Sequence, residues 1–218
     1  MEKSAQIFVT EDGSNSLYLP EFDETYHSRH GAIQESLHVF IENGLETVSK
    51  ENIKILEFGF GTGLNALMTL INSKEKHIEY TGIEKFPLDI TLLNQLNYAK
   101  REEELVLFEK IHLADWNKKA VITDNFTLEK IKSDFIKFQS DEKFDIIYFD
   151  AFAPRVQPEL WTKEIFEKTF SFLSKEGILV TYCAKGSVKR TLKEVGFKVI
   201  SLPGPPGKRE MTKAIKNV

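Results

Sequence analysis

The stretch LEFGFGTGLNAL, residues 56–67, decides how this chain is read. An apolar run, IKILEFG from residue 53, passes directly into Gly59, Gly61 and Gly63, spaced G-x-G-x-G, and then into a helix from about Leu64. Glycines at a strand-to-helix turn remove Cβ atoms, so that a ligand can approach the backbone. The same residues also suit a plain tight turn, and a dinucleotide fingerprint would need glycine at the sixth position, where Leu64 stands.

The next apolar run, IEYTGIE (78–84), adds to the first, because it ends in Glu84, 23 residues after Gly61. An acid there can accept from both ribose hydroxyls of an adenosine. Strands and helices then alternate. A helix is expected around 88–97, FDIIYFD (144–150) is a strand, TKEIFEKTFSFL a helix, GILVTYC a strand, SVKRTLKEV a helix and FKVISL a strand, with MTKAI closing the sheet. The pattern predicts an α/β fold, a mostly parallel sheet with helices on both faces.

Upstream, QIFVT and NSLYL flank Asp12-Gly13 as a hairpin, and Ile33, Leu37, Phe40 and Ile41 recur at helical spacing before Gly44. The expected division is therefore an N-terminal hairpin and helix over residues 1–50 and a main domain over 51–218. Between the halves of the sheet, YAKREEELVLFEKIHLADW reads equally as helix or strand, and VITDNFTLEKIKSD as a hairpin turning at Asp124-Asn125. Asp134 follows the strand FTLEKIKS and precedes a short helix, where a carboxylate can accept from an adenine amino group with Phe135 against the base. For each acid alone, a solvated loop carboxylate is the more common explanation.

Composition narrows the class. With 218 residues, 41% hydrophobic and 28% charged, the chain can build one sizeable core. No apolar run nears the roughly 18 residues of a membrane span, and MEKSAQIF lacks a signal-peptide stretch, so a cytoplasmic protein is expected. Cys183 is the single cysteine and has no Cys/His neighbours at zinc spacing, which points away from a disulfide or metal site. The net charge of −4 hides a polarity: from Lys185 onward nine Lys/Arg face two Glu, a local +7 that leaves −11 on the rest. Such a tail is either a solvated charged face or a local phosphate-binding patch.

Asp150 closes FDIIYFD and is followed by Phe152 and Pro154. In open α/β sheets ligands bind beyond the carboxyl ends of the strands, which turns Asp150 toward a cofactor. The plainer reading has Asp150 capping the turn and Phe152 packed in the core.

The glycine turn and strand-end acids are similar to those of class I S-adenosylmethionine-dependent methyltransferases. Over nearly the full length, FDETYHS, VFIENG, EFGFGTGLN, IEKFPL, DAFAPRVQPELWT, TYCAKGSVKRTLKEVGF and GPPGKREMTKA resemble the methyltransferase half of the bacterial bifunctional enzyme of 5-methylaminomethyl-2-thiouridine synthesis. DAFAP with its Pro-x-x-Trp segment, together with KREM, is far more specific than the glycine loop. The resemblance implies a Rossmann-like fold and methylation of the amine of 5-aminomethyl-2-thiouridine at the wobble position of tRNA.

It further implies Glu57, Gly59, Gly61, Gly63, Glu84, Lys85, Asp134, Phe135 and Asp150 on S-adenosylmethionine, with Asp150 also catalytic. Tyr26, Ser28, Phe152 and Pro154 are implied on the substrate, with Lys185, Lys189, Arg190, Lys208 and Arg209 on the phosphates of the anticodon stem-loop. Glu35 joins Tyr26 and Ser28 in covering the site. Two departures stand out: Lys185 replaces a small residue, and no residues remain for a flavin-dependent oxidase domain. A stand-alone enzyme without flavin, metal or obligatory protein partner is therefore expected. Methyl or aminopropyl transfer to another amine, and a non-catalytic module binding S-adenosylmethionine or RNA, are the alternatives.

Overall fold

Strands β1 (Gln6–Val9) and β2 (Asn15–Leu19) pair antiparallel across the Asp12-Gly13 turn in a computed structural model that describes residues 5–217. The first four residues of MEKSAQIF, and residue 218, lie outside the described residues. The turn forms because the Asp12 carboxylate accepts from the Ser14 N–H at 2.9 Å while Gly13 takes φ +79°. A short β3 (Glu24–Thr25) completes a three-stranded sheet. The helix expected before Gly44 is α1 (Ala32–Ser36), which widens into a π-helical run, Leu37–Glu42, where Val39, Phe40 and Ile41 are all buried.

The main sheet follows from β4 (Asn52–Phe58), α2 (Leu64–Asn72), β5 (His77–Glu84), α3 (Ile90–Leu93), α4 (Glu102–Leu113), β6 (Lys119–Thr123) and β7 (Phe126–Lys132). It continues through β8 (Phe144–Phe149), α5 (Lys163–Phe172), β9 (Leu173–Thr181), α6 (Gly186–Val195), β10 (Lys198–Pro203) and β11 (Glu210–Ile215). Its eight strands run in the order β10-β11-β9-β8-β4-β5-β7-β6. The β9-β8-β4-β5-β7 stretch is parallel, whereas β6, β11 and β10 each lie antiparallel to the preceding neighbour in the sheet. This is a Rossmann-like, doubly wound fold with a small N-terminal antiparallel sheet.

The continuous apolar run FDIIYF is explained by two cores. Ile146 and Tyr148 face the layer of α2, α4 and the N-terminal helix, while Ile147 and Phe149 face that of α5 and α6. The first core also takes Leu17, Ala32, Phe40 and Leu45, so the N-terminal segment shares its apolar layer with the sheet.

Two expectations are corrected and one open reading is settled. The helix around 88–97 is a single turn, α3, started by Asp89 accepting from the Thr91 N–H at 2.7 Å. It stops because Leu96 and Tyr98 must enter the core and Asn97 ties across to the hairpin, donating to the Gly13 carbonyl and accepting from the Asn15 N–H. The ambiguous stretch 98–116 carries the helix α4. The short helix expected after Asp134 is only a turn, with Lys137 and Phe138 N–H donating to the Asp134 carbonyl.

Candidate active site

The strand order reverses at β4, with β5 on one side and β8 on the other, and the loops leaving these strands enclose a cavity of about 550 Å³. Glycine is required at its floor. Gly59 (φ +89°) would put a Cβ 2.6 Å from the Asp150 carbonyl oxygen, and Gly61 (φ +49°) would put one 3.2 Å from the Tyr26 ring. Glu84 sets the turn, accepting from the Gly61 N–H at 3.1 Å and the Phe86 N–H at 2.8 Å. Beyond it, Lys85 pairs with Asp134 at 2.7 Å and holds that carboxyl below the usual aspartate range. Phe135 lines the cavity while packing on Phe58 and Phe149.

Asp150 extends the β8 ladder by one residue, donating its N–H to the Phe58 carbonyl at 3.0 Å, and its side chain lines the cavity. One nitrogen, Asn65 Nδ2, donates to Asp150 Oδ2 and to Glu57 Oε1, each at 2.8 Å. Glu57 is fully buried, and among the described residues its Oε2 has no hydrogen-bond partner. Burial, followed by the Asp150 charge, pushes Glu57 well above the ordinary glutamate range. Asp150 is itself raised to about 7, chiefly by burial and then by Glu35, with the Asn65 bond and Lys208 opposing. Glu35 accepts from the Ser28 N–H at 2.7 Å and pairs with Lys208, whose ammonium lies 4.1 Å over the Tyr182 ring.

The loop after Asp150 is tied on three sides. Phe152 donates its N–H to Gln157 Oε1 at 3.0 Å, accepts at its carbonyl from the Trp161 indole at 2.9 Å, and meets Tyr26 edge-on at 5.1 Å. Tyr182 donates to the Ala151 carbonyl at 2.9 Å. Arg155 reaches back to the N-terminal segment, donating to the Asp23 carbonyl at 2.6 Å and pairing with Glu24 at 3.1 Å.

Of the residues singled out from sequence, Tyr26, Ser28, Glu35, Gly59, Gly61, Glu84, Lys85, Asp134, Phe135, Asp150, Phe152 and Lys208 line this one cavity. Glu57 lies against it through Asn65. Gly63 sits beneath, at the start of α2, and Pro154 is outside the lining, as are Lys185, Lys189, Arg190 and Arg209. Much of the basic tail serves the fold. Lys208 turns inward to Glu35, Lys189 pairs with Glu210, Lys213 donates to Thr47, and Lys216 donates to the Phe170 and Leu173 carbonyls. Asn65 and Tyr182 escaped the sequence reading. Asn65 had one available signal, its place in the first turn of α2, eight residues after Glu57.

The cavity fits S-adenosylmethionine on its own chemistry: a cradle that a Cβ would fill, two strand-end acids, Glu84 and Asp150, and a volume within the range of small-molecule sites. Fold and site together define a class I methyltransferase. The chain belongs to the S-adenosyl-L-methionine-dependent methyltransferase family, whose model matches residues 91–217. It is 31% identical to the tRNA 5-methylaminomethyl-2-thiouridine biosynthesis bifunctional protein MnmC of Pseudoalteromonas atlantica, over 98% of this chain and 34% of that one. The MnmC of Methylobacillus flagellatus is 28% identical, over 89% of this chain and 33% of its own. The chain thus spans about a third of the length of these bifunctional relatives. The crystal structure of MnmC2 from Aquifex aeolicus superposes with a TM-score of 0.81 at 30% identity, covering 98% of this chain and 70% of that one.

Proposed function

We propose that the protein transfers a methyl group from S-adenosylmethionine to the primary amine of 5-aminomethyl-2-thiouridine at the wobble position of tRNA, giving 5-methylaminomethyl-2-thiouridine. The observation that carries this reading is the Asp150 carboxyl, open to the cavity and raised to about 7. The similarity to the MnmC proteins of tRNA 5-methylaminomethyl-2-thiouridine biosynthesis supports the substrate. S-Adenosylmethionine, when bound, supplies a methyl carbon activated by a sulfonium and a neutral thioether leaving group.

The residues of the chain handle the amine. An alkylamine has a reference pKa of about 10.4, so near neutral pH its nucleophilic form costs roughly 4–5 kcal/mol. Asp150 accepts an N–H, aims the nitrogen lone pair, and stabilises the positive charge that develops on nitrogen as the new bond forms. Its raised proton affinity brings it closer to that of the amine than an ordinary aspartate, which favours passing on the proton released. Phe152 offers a face for the extruded base, as single-stranded anticodon bases allow. The unit 1–50 covers the substrate side through Tyr26 and Ser28, and Lys185, Arg190 and Arg209, outside the cavity, serve the RNA phosphates.

Mass spectrometry of wobble nucleosides from a strain lacking the gene tests this directly. The aminomethyl form accumulates if the reading holds, and an unchanged methylaminomethyl level rejects it. With purified protein, Asp150→Ala keeps donor binding and loses at least roughly a hundredfold in turnover. Activity on anticodon stem-loop RNA falls as salt rises, through counterion release.

A further inference from the structure

Three oxygens and one amide form a closed chain behind Asp150. Ser36 Oγ, on α1, donates to Asn65 Oδ1 at 2.6 Å, and Asn65 Nδ2 sends one hydrogen to Glu57 Oε1 and the other to Asp150 Oδ2. Ser36, Asn65 and Glu57 are 2%, 3% and 0% exposed, so water cannot replace the Ser36–Asn65 and Asn65–Glu57 bonds. Turning the amide over would set Asn65 Oδ1 against the ionised Asp150 oxygen, while Ser36 can donate to the orientation seen. We infer that Asn65 is the positioning residue for Asp150 and that Ser36 locks it, which makes the N-terminal helix part of the reaction machinery.

This inference rests on the role of Asp150 proposed above. A single amide bond holds Oδ2, and among the described residues no other hydrogen bond reaches the Asp150 side chain, which leaves Oδ1 for the incoming amine. The ionisable groups around Asp150 are Glu57 on β4, Glu35 on α1, Tyr80 on β5, Tyr182 after β9 and Lys208 in the β10–β11 turn. Against burial and the surrounding acids, the Asn65 bond and Lys208 favour the ionised form of Asp150. The Asn65 bond both fixes the direction of the carboxyl and lowers the pH at which it can accept an N–H.

The test is the pH dependence of kcat, from about pH 5.5 to 9.5, with the full chain, saturating S-adenosylmethionine and anticodon stem-loop RNA carrying 5-aminomethyl-2-thiouridine. Asn65→Ala moves the acid limb to higher pH by about one unit, a loss of roughly fivefold at neutral pH that approaches tenfold on the acid side and recovers on the alkaline side. Ser36→Ala moves it in the same direction by less, and Ser36→Thr, which keeps the hydroxyl, restores it. A loss uniform across pH, or limbs unmoved in both Asn65→Ala and Ser36→Ala, overturns the inference in favour of a packing role. Should Asn65→Ala fail to fold, the Ser36→Ala and Ser36→Thr pair decides alone. Asp150→Asn separates the two ideas: a limb that persists there overturns the role of Asp150 itself, whereas a lost limb with an unmoved Asn65→Ala profile overturns only the positioning.

Discussion

Trp161 donates its indole N–H to the carbonyl of Phe152 at 2.9 Å, across the loop that begins at Asp150. The bond gives the Pro-x-x-Trp segment a physical purpose. A backbone carbonyl beside a ligand cavity needs a donor, and Trp161 supplies one while its ring packs edge-on against Phe149 at 4.9 Å. Trp161→Phe keeps an aromatic ring but leaves that carbonyl unmatched. We expect a stability loss of about 1–3 kcal/mol and a severalfold fall in kcat with donor affinity retained. Urea unfolding and steady-state kinetics measure both, and wild-type kcat in the variant would show that Phe152 needs no such anchor.

Glu84 carries a second prediction. Its two oxygens each accept a backbone N–H, from Gly61 and from Phe86. Glutamine has one oxygen to offer, so Glu84→Gln leaves one N–H facing an NH₂ group and removes the charge that strengthens both bonds. The expected result is a donor dissociation constant higher by about 10–100-fold, with kcat at saturating donor changed by only a few-fold. Calorimetric titration with S-adenosylhomocysteine reads the affinity. An unaltered constant would remove Glu84 from the donor site.

The parts of this fold that are legible in sequence are those where local pattern and burial agree. β4 and β8 are near-continuous apolar runs because both faces of the sheet are covered there, and β5 and β8 end at or beside Glu84 and Asp150, which line the cavity. α4 was unreadable for the opposite reason. Its buried stripe is Glu104, Phe108 and Ile111, while Leu105, Val106 and Leu113 face solvent, so the apolar letters do not trace the buried face. The basic tail misleads in a similar way, since net charge records how many cations a segment has and nothing of what they touch. Lys208 is the clearest case, a cation counted for the RNA that pairs with Glu35 inside the cavity. Asn65 was hidden because its partners, Ser36, Glu57 and Asp150, are brought together only by the folded sheet and the helix beside it.

The raised proton affinity of Asp150 also sets a cost for holding the site ready. In the unfolded chain its carboxyl titrates at the ordinary aspartate value of 3.8, against about 7 in the fold. Below 3.8 it is neutral in both states and costs nothing. Between that value and about 7 the unfolded chain releases the proton while the folded chain keeps it, so stability falls as pH rises, and above about 7 the penalty is complete. The full difference corresponds to roughly 4 kcal/mol, but the side chain is partly open to the cavity and water there screens the charge, which reduces the expected penalty to about 2 kcal/mol. Asp150→Asn removes the charge, and its amide oxygen can still accept from Asn65. The variant should therefore be more stable than wild type by about 2 kcal/mol near pH 8, equal to it near pH 4, and without useful turnover, as expected where a site is held against its own folding preference. Denaturant unfolding at the two pH values checks this. Equal stability at pH 8 would mean that the carboxyl is not strained by its surroundings, and the case for a matched proton acceptor would go with it.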